Sequence, residues 1–233
     1  MYPLRGTPVI QHVYRNAKRA RLADDVIIAT DSETIFERVL AFGGKAVMTN
    51  KEHPSGTDRI AEVAASMDYD IIVNVQGDEP LVRPEMIDDV ISILDDGRAS
   101  MGTLVKKIED PDEITDPNVV KVVFDKDGFA LYFSRAPVPF YRDKWKNVTN
   151  IQHSTFIIQN CYKHVGIYSY KRNILLSLAE MEPTRLEKIE KLEQLRALEN
   201  GMKIKVKETF FETYGVDTPE DIERVEKCLN TSF

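Results

Sequence analysis

The residues with the clearest chemical use form a pentapeptide, Gln76-Gly77-Asp78-Glu79-Pro80. It follows directly on Ile71-Ile72-Val73-Asn74-Val75, the strongest strand signal in the chain. Gly77 permits a tight turn, and Asp78 and Glu79 present carboxylates at the end of that strand. A hard divalent cation takes such oxygens, and Mg²⁺ combines one or two carboxylates with the phosphate oxygens of a substrate. The same residues also read as a solvated helix-capping loop. A second acid, Asp217, lies in Gly215-Val216-Asp217-Thr218-Pro219, just before a capped helix. Brought near Asp78 it completes a cation site that holds a triphosphate; left alone it is a turn residue.

Four further groups suit polar or anionic ligands. In His53-Pro54-Ser55-Gly56-Thr57-Asp58-Arg59, the residues Ser55, Gly56 and Thr57 offer hydroxyls and backbone N–H groups at a helix start, and Arg59 sits in its first turn. A plain helix cap with an exposed arginine is the alternative. In Tyr132-Phe133-Ser134-Arg135, Arg135 has the planar fork that grips a carboxylate. His164 and Tyr168 are four residues apart on one predicted strand, so they share a face, although a strand histidine also serves structure alone. Glu187 and Glu190 are neighbours on a predicted helix and are candidate acceptors for sugar hydroxyls, or simply solvated acids.

The elements that must position these groups alternate. Helical periodicity predicts helices over residues 9–20, from 32, from about 57, from Pro84, over 186–200 and from Thr218. The stripe of the 186–200 helix is Leu186, Ile189, Leu192 and Leu195. Apolar runs predict strands over 26–29, 46–48, 71–75 and 101–105. Such alternation implies an α/β fold, a mostly parallel central sheet with helices on both faces. The middle of the chain is β-rich. Residues 119–124 and 129–133 flank Asp125-Lys126-Asp127-Gly128, a hairpin connection, and 164–170 and 203–207 read as further strands. Residues 141–159 read as a long polar loop, and the organisation is one sheet-based domain, 1–233, with a β-rich insertion over about 119–170.

Composition narrows the function. The chain has 233 residues, enough for a sizeable core, and 31 basic against 38 acidic residues give a net charge of −7. That balance argues against a nucleic-acid partner. No apolar run reaches the length of a membrane span, and the two cysteines, Cys161 and Cys228, give neither a disulfide framework nor a metal-ligand spacing. A cytoplasmic location is expected.

Taken in order, several segments resemble the 3-deoxy-manno-octulosonate (KDO) cytidylyltransferases, or CMP-KDO synthetases. They are Ile28-Ala29-Thr30-Asp31, Pro54-Ser55-Gly56-Thr57-Asp58-Arg59, Asn74-Val75-Gln76-Gly77-Asp78-Glu79-Pro80 and Val119-Val120-Lys121-Val122-Val123. They continue with Ala130-Leu131-Tyr132-Phe133-Ser134-Arg135, Lys163-His164-Val165-Gly166-Ile167-Tyr168, the stretch from Leu186 to Arg196, and Gly215-Val216-Asp217-Thr218-Pro219-Glu220-Asp221. The resemblance implies a Rossmann-like nucleotidyltransferase fold, a homodimer and a Mg²⁺-dependent transfer from CTP to KDO that feeds lipopolysaccharide assembly. It further implies that Asp78 and Asp217 hold Mg²⁺ and that Ser55, Gly56 and Arg59 contact the cytidine. Gln76, Arg135, His164 and Glu187 would face the sugar, with Arg135 the partner of its carboxylate and, with Asp78 and Asp217, a catalytic residue; Tyr132, Tyr168 and Glu190 are further candidate substrate-binding residues. Another acidic sugar, such as a sialic acid or 8-amino-KDO, is the alternative substrate.

The resembled family opens with a strand and a loop of the type Pro-Ala-Arg-x-x-Ser-Thr-Arg-x-x-x-Lys, which cradles the triphosphate. Residues 1–233 contain no such segment, and Arg5 cannot be equated with any of its basic residues. The expectation is therefore double: a chain truncated at an internal methionine, or a degenerate homologue acting as a binding or assembly subunit.

Overall fold

The computed structural model describes residues 3–142, 160–216 and 218–231. The expected 141–159 loop falls largely outside these residues, as does Asp217.

After a short antiparallel pair, β1 (Pro3–Leu4) and β2 (Thr7–Pro8), helix α1 spans Val9–Ala17. Strand β3 (Ile28–Thr30) leads to α2 (Glu33–Ala41), where Ser32 accepts the Ile35 N–H as N-cap. Strand β4 (Ala46–Met48), α3 (Gly56–Ala65), β5 (Ile71–Asn74), α4 (Pro84–Ile93) and β6 (Met101–Lys107) follow, close to the predicted alternation. Helix α5 (Asp112–Thr115) precedes the hairpin of β7 (Lys121–Phe124) and β8 (Ala130–Ser134). Its turn closes at Gly128, whose φ of 81° lies in the left-handed region that favours glycine. Then come β9 (Tyr162–Lys171), α6 (Arg172–Ala179), α7 (Arg185–Glu190), α8 (Gln194–Glu199), β10 (Ile204–Glu208) and α9 (Pro219–Thr231).

The sheet is mixed, not mostly parallel. Strands β3 and β4 pair in parallel, and so do β10 and β6. Strand β9 runs antiparallel to β5, β6 and β7, and β7 runs antiparallel to β8. The physical reason is the length of β9, which sequence patterning under-reads. One edge of its ten residues pairs with β6 from Tyr162 to Tyr170. The other edge pairs with β5 at Tyr168–Lys171 and with β7 at Tyr162 and Lys163. Among the described residues, β3 and β5 each have one edge without a strand partner.

Two apolar layers enclose the large sheet. Ala61, Ala64, Leu175, Leu178, Leu192 and Leu195, from the α3, α6 and α7–α8 side, pack on Met101, Val105, Phe133 and Tyr170. Val13, Ala17, Met86, Val90 and Ile93, from α1 and α4, pack on Leu104, Val165 and Ile167 across the other face. No described helix is long and apolar enough to cross a membrane.

The predicted 186–200 helix is two helices. Lys191 takes a φ of 55° and ends α7, and the chain then turns to bury Leu192 and Leu195 while Ile189 stays 66% exposed. A buried ion pair sets this break. Arg196 donates to Glu187 from Nε at 2.9 Å and from Nη2 at 2.6 Å. Glu187 also accepts the Thr184 N–H at 2.9 Å. Removing one partner of such a pair strands the other charge inside the protein. Glu187→Ala is therefore expected to lower unfolding free energy by about 3–5 kcal/mol in urea titrations, with Glu187→Gln intermediate.

Candidate active site

The pentapeptide turn lies where the second edge of β9 is unpaired. Strand β5 ends at Asn74, opposite Tyr168, and the turn then crosses Gly166, where a side-chain carbon would stand 3.6 Å from Glu79 Oε1. The turn does not cap α4, whose N-cap residue is Arg83. A second segment reaches it from β10. Thr213 hydrogen-bonds Glu79, and the Val216 N–H donates to the Asp78 carbonyl at 2.9 Å. A side-chain carbon on Gly215 would stand 3.4 Å from Asp78 Oδ2, so a glycine there keeps the space before the carboxylate open. The two predicted acid motifs are thus adjacent, although Asp217 itself lies outside the described residues. Among the described residues no three His, Cys, Asp or Glu side chains gather at metal-binding range.

Burial pushes the Glu79 carboxyl up to about 7, and neighbouring Asp78 pushes it the same way. Asp78 and Gly77 open onto a cleft of about 440 Å³, lined also by Val9, Ile10, Ile28, Thr30, Ser32 and Val216.

On the neighbouring face of β9, His164 and Tyr168 meet with ring centroids 5.1 Å apart, as their spacing predicts. This holds despite a register shift: Thr103 pairs with Tyr168, but Leu104 pairs with Val165. The shift adds two residues to β9, an even number, so the alternation of faces survives. Thr103 ties the shift together. Its Oγ1 lies 2.7 Å from the Ile167 carbonyl and 2.9 Å from His164 Nε2. A carbonyl only accepts, so the hydroxyl hydrogen goes there and Nε2 carries the imidazole proton. That network assigns Nδ1 as an acceptor. Burial pushes the His164 pKa down to about 3, and the ring stands edge-on to Phe133 at 5.3 Å.

Glu193 is an acid that the helical reading passes over. Burial raises the pKa values of Tyr168 and Tyr170, and the charge of Glu193 adds to both shifts. It follows the break at Lys191, for which the sequence carries no glycine signal.

Other predicted site residues fasten the scaffold. Arg135 donates from Nε to the Glu190 carbonyl and from Nη1 to the Pro117 carbonyl, both at 2.7 Å. The Glu190 carboxylate accepts from Tyr132 at 3.2 Å, Ser134 Oγ at 2.8 Å and the Arg135 N–H at 3.0 Å. Lys121 Nζ holds the Asp116 and Val119 carbonyls at 2.7 and 2.5 Å, and the Val120 carbonyl accepts the His164 N–H at 2.8 Å. The 116–120 loop so anchored fixes His164. Glu187 is committed to Arg196, as above. Of the expected sugar acceptors, Glu187 and Glu190 therefore each already accept from three protein donor groups.

The α3 start combines both readings. Ser55 accepts the Asp58 N–H at 3.2 Å and donates to Asp58 Oδ2 at 2.6 Å, so its hydroxyl serves as the cap. Arg59 joins the ends of β3 and β4 by donating to Asp31 Oδ2 at 3.1 Å and Thr49 Oγ1 at 2.5 Å. Gly56 has open space on its side-chain side. Thr57 hydrogen-bonds Tyr170, which links this loop to the β9 row. Gln76 lies in the turn, half-buried.

Residues 1–204 match the family model described as cytidylyltransferase. A 3-deoxy-manno-octulosonate cytidylyltransferase of Thermodesulfovibrio yellowstonii is 50% identical over 236 aligned residues, covering 98% of this chain and 90% of that protein. The enzyme of the same description from Pelobacter propionicus is 56% identical, covering 93% of this chain and 85% of its own length. A solved CMP:2-keto-3-deoxy-manno-octonic acid synthetase complexed with CTP superposes with a TM-score of 0.87 at 36% identity, covering all of this chain and 91% of that one. A 4-diphosphocytidyl-2C-methyl-D-erythritol synthase from Anaerococcus prevotii, at 14% identity and a TM-score of 0.63, shares the fold.

The neutral imidazole gives a pH prediction. The unfolded chain protonates His164 below its ordinary value of 6.5, the folded chain only near 3, so stability falls as pH drops through that window. Urea unfolding should show the wild type losing more stability between about pH 7 and pH 5 than His164→Gln does.

Proposed function

The chain belongs to the 3-deoxy-manno-octulosonate cytidylyltransferase family, and from that premise we propose that it converts CTP and KDO into CMP-KDO and pyrophosphate, the activated sugar used in lipopolysaccharide assembly. The observation that carries this reading is the meeting of Asp78 with the Gly215–Val216 segment beside the His164–Tyr168 row. It puts a carboxylate end for phosphates next to a polar, aromatic-walled end for a sugar.

The anomeric hydroxyl of KDO attacks the α-phosphorus of CTP, and pyrophosphate leaves in line. Asp78, beside which Gly215 leaves room, would hold a hard cation, and Asp217, next after Val216 in sequence, would be its second carboxylate. Mg²⁺ held there would neutralise phosphate charge and acidify the attacking hydroxyl. The chain's own residues do the positioning. Backbone N–H groups at Gly56 and the α3 start meet the cytidine. His164 Nδ1 accepts a sugar hydroxyl without bringing a charge, because the ring is neutral. Tyr168, Gln76 and Glu193 complete the sugar's hydrogen bonds. Arg135 gives its positive charge to the KDO carboxylate while its bonds to carbonyls hold it still, which limits the entropy lost on binding.

The reaction runs in the cytoplasm, where CTP is held, and in a homodimer. Leu131 on the outer strand β8 and Phe140 beyond it are 63% and 64% exposed, which supports a partner surface in the β-rich region. Sedimentation should give a dimer for the wild type and a monomer for Leu131→Glu.

Pyrophosphate release with CTP, KDO and Mg²⁺ tests the activity, on this chain and on one extended by a Pro-Ala-Arg-type segment. The extended chain should turn over, and Asp78→Asn within it should lower kcat at least roughly a hundredfold. If both chains are folded and neither releases pyrophosphate, the assignment fails. Turnover by the unextended chain alone would show that the triphosphate needs no such loop. Replacing KDO by a sialic acid or 8-amino-KDO settles the sugar, because only pocket contacts discriminate them.

A further inference from the structure

Between β10 and the cleft, the chain crosses the carboxyl end of β6 and the start of β9. Thr209 donates its N–H to the Val105 carbonyl at 2.8 Å. Three residues on, Glu212 bridges two lysines: Oε1 lies 2.7 Å from Lys106 Nζ, and Oε2 lies 3.2 Å from Lys163 Nζ. These lysines are cross-strand partners in the β6–β9 ladder, and their side chains are only 6% and 13% exposed. Like charges directly opposite each other repel, and near-buried ammonium groups need carboxylates. Each has one of its own: Glu109 on Lys106 at 2.9 Å and Glu113 on Lys163 at 2.5 Å. Glu212 is the acid they share, and it comes from the loop, not from the sheet. The next residue, Thr213, bonds Glu79, and Gly215 and Val216 abut Asp78. A rigid pair of strands therefore sets where residues 213–216 lie.

We infer that Glu212 is a positioning residue: clamped between Lys106 and Lys163, it holds the 213–216 segment against Asp78 and so sets the cation-binding end of the cleft. The inference rests on the proposed role of Asp78. Glu212 touches neither substrate nor metal. Its loss leaves the two strands paired through their backbone ladder and frees the loop.

The test measures Mn²⁺ binding in the presence of CTP by electron paramagnetic resonance, on the chain extended as above, carrying either the wild-type residues or Glu212→Ala, Glu212→Gln or Asp78→Asn. Hydrogen exchange of the ligand-free proteins is followed alongside. Glu212→Ala should weaken Mn²⁺ binding tenfold or more, with excess Mn²⁺ restoring occupancy. Glu212→Gln, which keeps a hydrogen bond without the charge, should fall between. Exchange should speed up in residues 209–216 and stay unchanged in β6 and β9, which a general loss of stability would not produce. Wild-type Mn²⁺ affinity in Glu212→Ala, with Asp78→Asn weakened, overturns the inference alone. Wild-type affinity in Asp78→Asn as well, or no Mn²⁺ binding by the wild type, overturns the reading of Asp78 on which it rests. If Glu212→Ala does not fold by circular dichroism, Glu212→Gln decides on the same criteria.

Discussion

Strand β9 must satisfy two edges at once, and the second edge is shared. A single strand, β6, takes one side along nearly its whole length. On the other side β5 and β7 each take one end, and Val165, Gly166 and Ile167 have neither as a partner. On the β6 edge, where the register shifts, Thr103 supplies a hydroxyl to the Ile167 carbonyl. Beside the gap on the other edge, Glu79 of the turn from Gln76 to Pro80 stands over Gly166. The interruption in the ladder is thus what brings the end of β5, the His164–Tyr168 row and the segment after β10 to one place. A continuous β5–β9–β7 edge would leave no room for the turn.

Much of this was legible because it is local. The apolar run before Gln76, the even spacing of His164 and Tyr168, the Ser55 cap and the Asp-Gly hairpin each depend on a few consecutive residues, and each is found where the pattern puts it. The antiparallel course of β9 was not legible, since strand direction depends on partners far away in sequence. The end of α7 was hidden for a different reason. Lys191 adopts a left-handed backbone without being glycine or asparagine, and tertiary contacts of Glu187 and Glu190 hold it there. A helical wheel drawn through that break assigns Ile189 inward, whereas it is exposed.

Charged residues near the pocket divide by the partners they have. A sequence shows an arginine or a glutamate as available, because residue type and spacing do not reveal its neighbours. In the folded chain, Glu187 and Glu190 accept from several protein donors each, and Arg59 spans two strand ends. Such groups confer rigidity: they fix the loops that flank the His164–Tyr168 row of β9. A substrate-binding surface needs both kinds, since hydrogen-bonding groups pay less entropy on binding when their supports are already fixed. Glu212 extends the same logic to the far side of the cleft, where Lys106 and Lys163 anchor a loop instead of meeting a phosphate.

The charge of the cleft sets the last constraint. Its described lining is apolar or hydroxylic apart from Asp78, and includes no lysine or arginine. A nucleoside triphosphate entering it brings several negative charges toward a carboxylate, with a second acid, Glu79, close behind and already pushed toward its neutral form. Repulsion between like charges at contact distance in a partly desolvated cleft is worth several kcal/mol, too much for apolar burial of a pyrimidine ring to offset alone. Positive charge must therefore accompany the ligand or be placed beside it. In the proposed reaction, a divalent cation held by Asp78 would meet part of that demand. The carboxylate that repels a bare triphosphate would, on the proposed reading, be the one that places a metal-bound triphosphate.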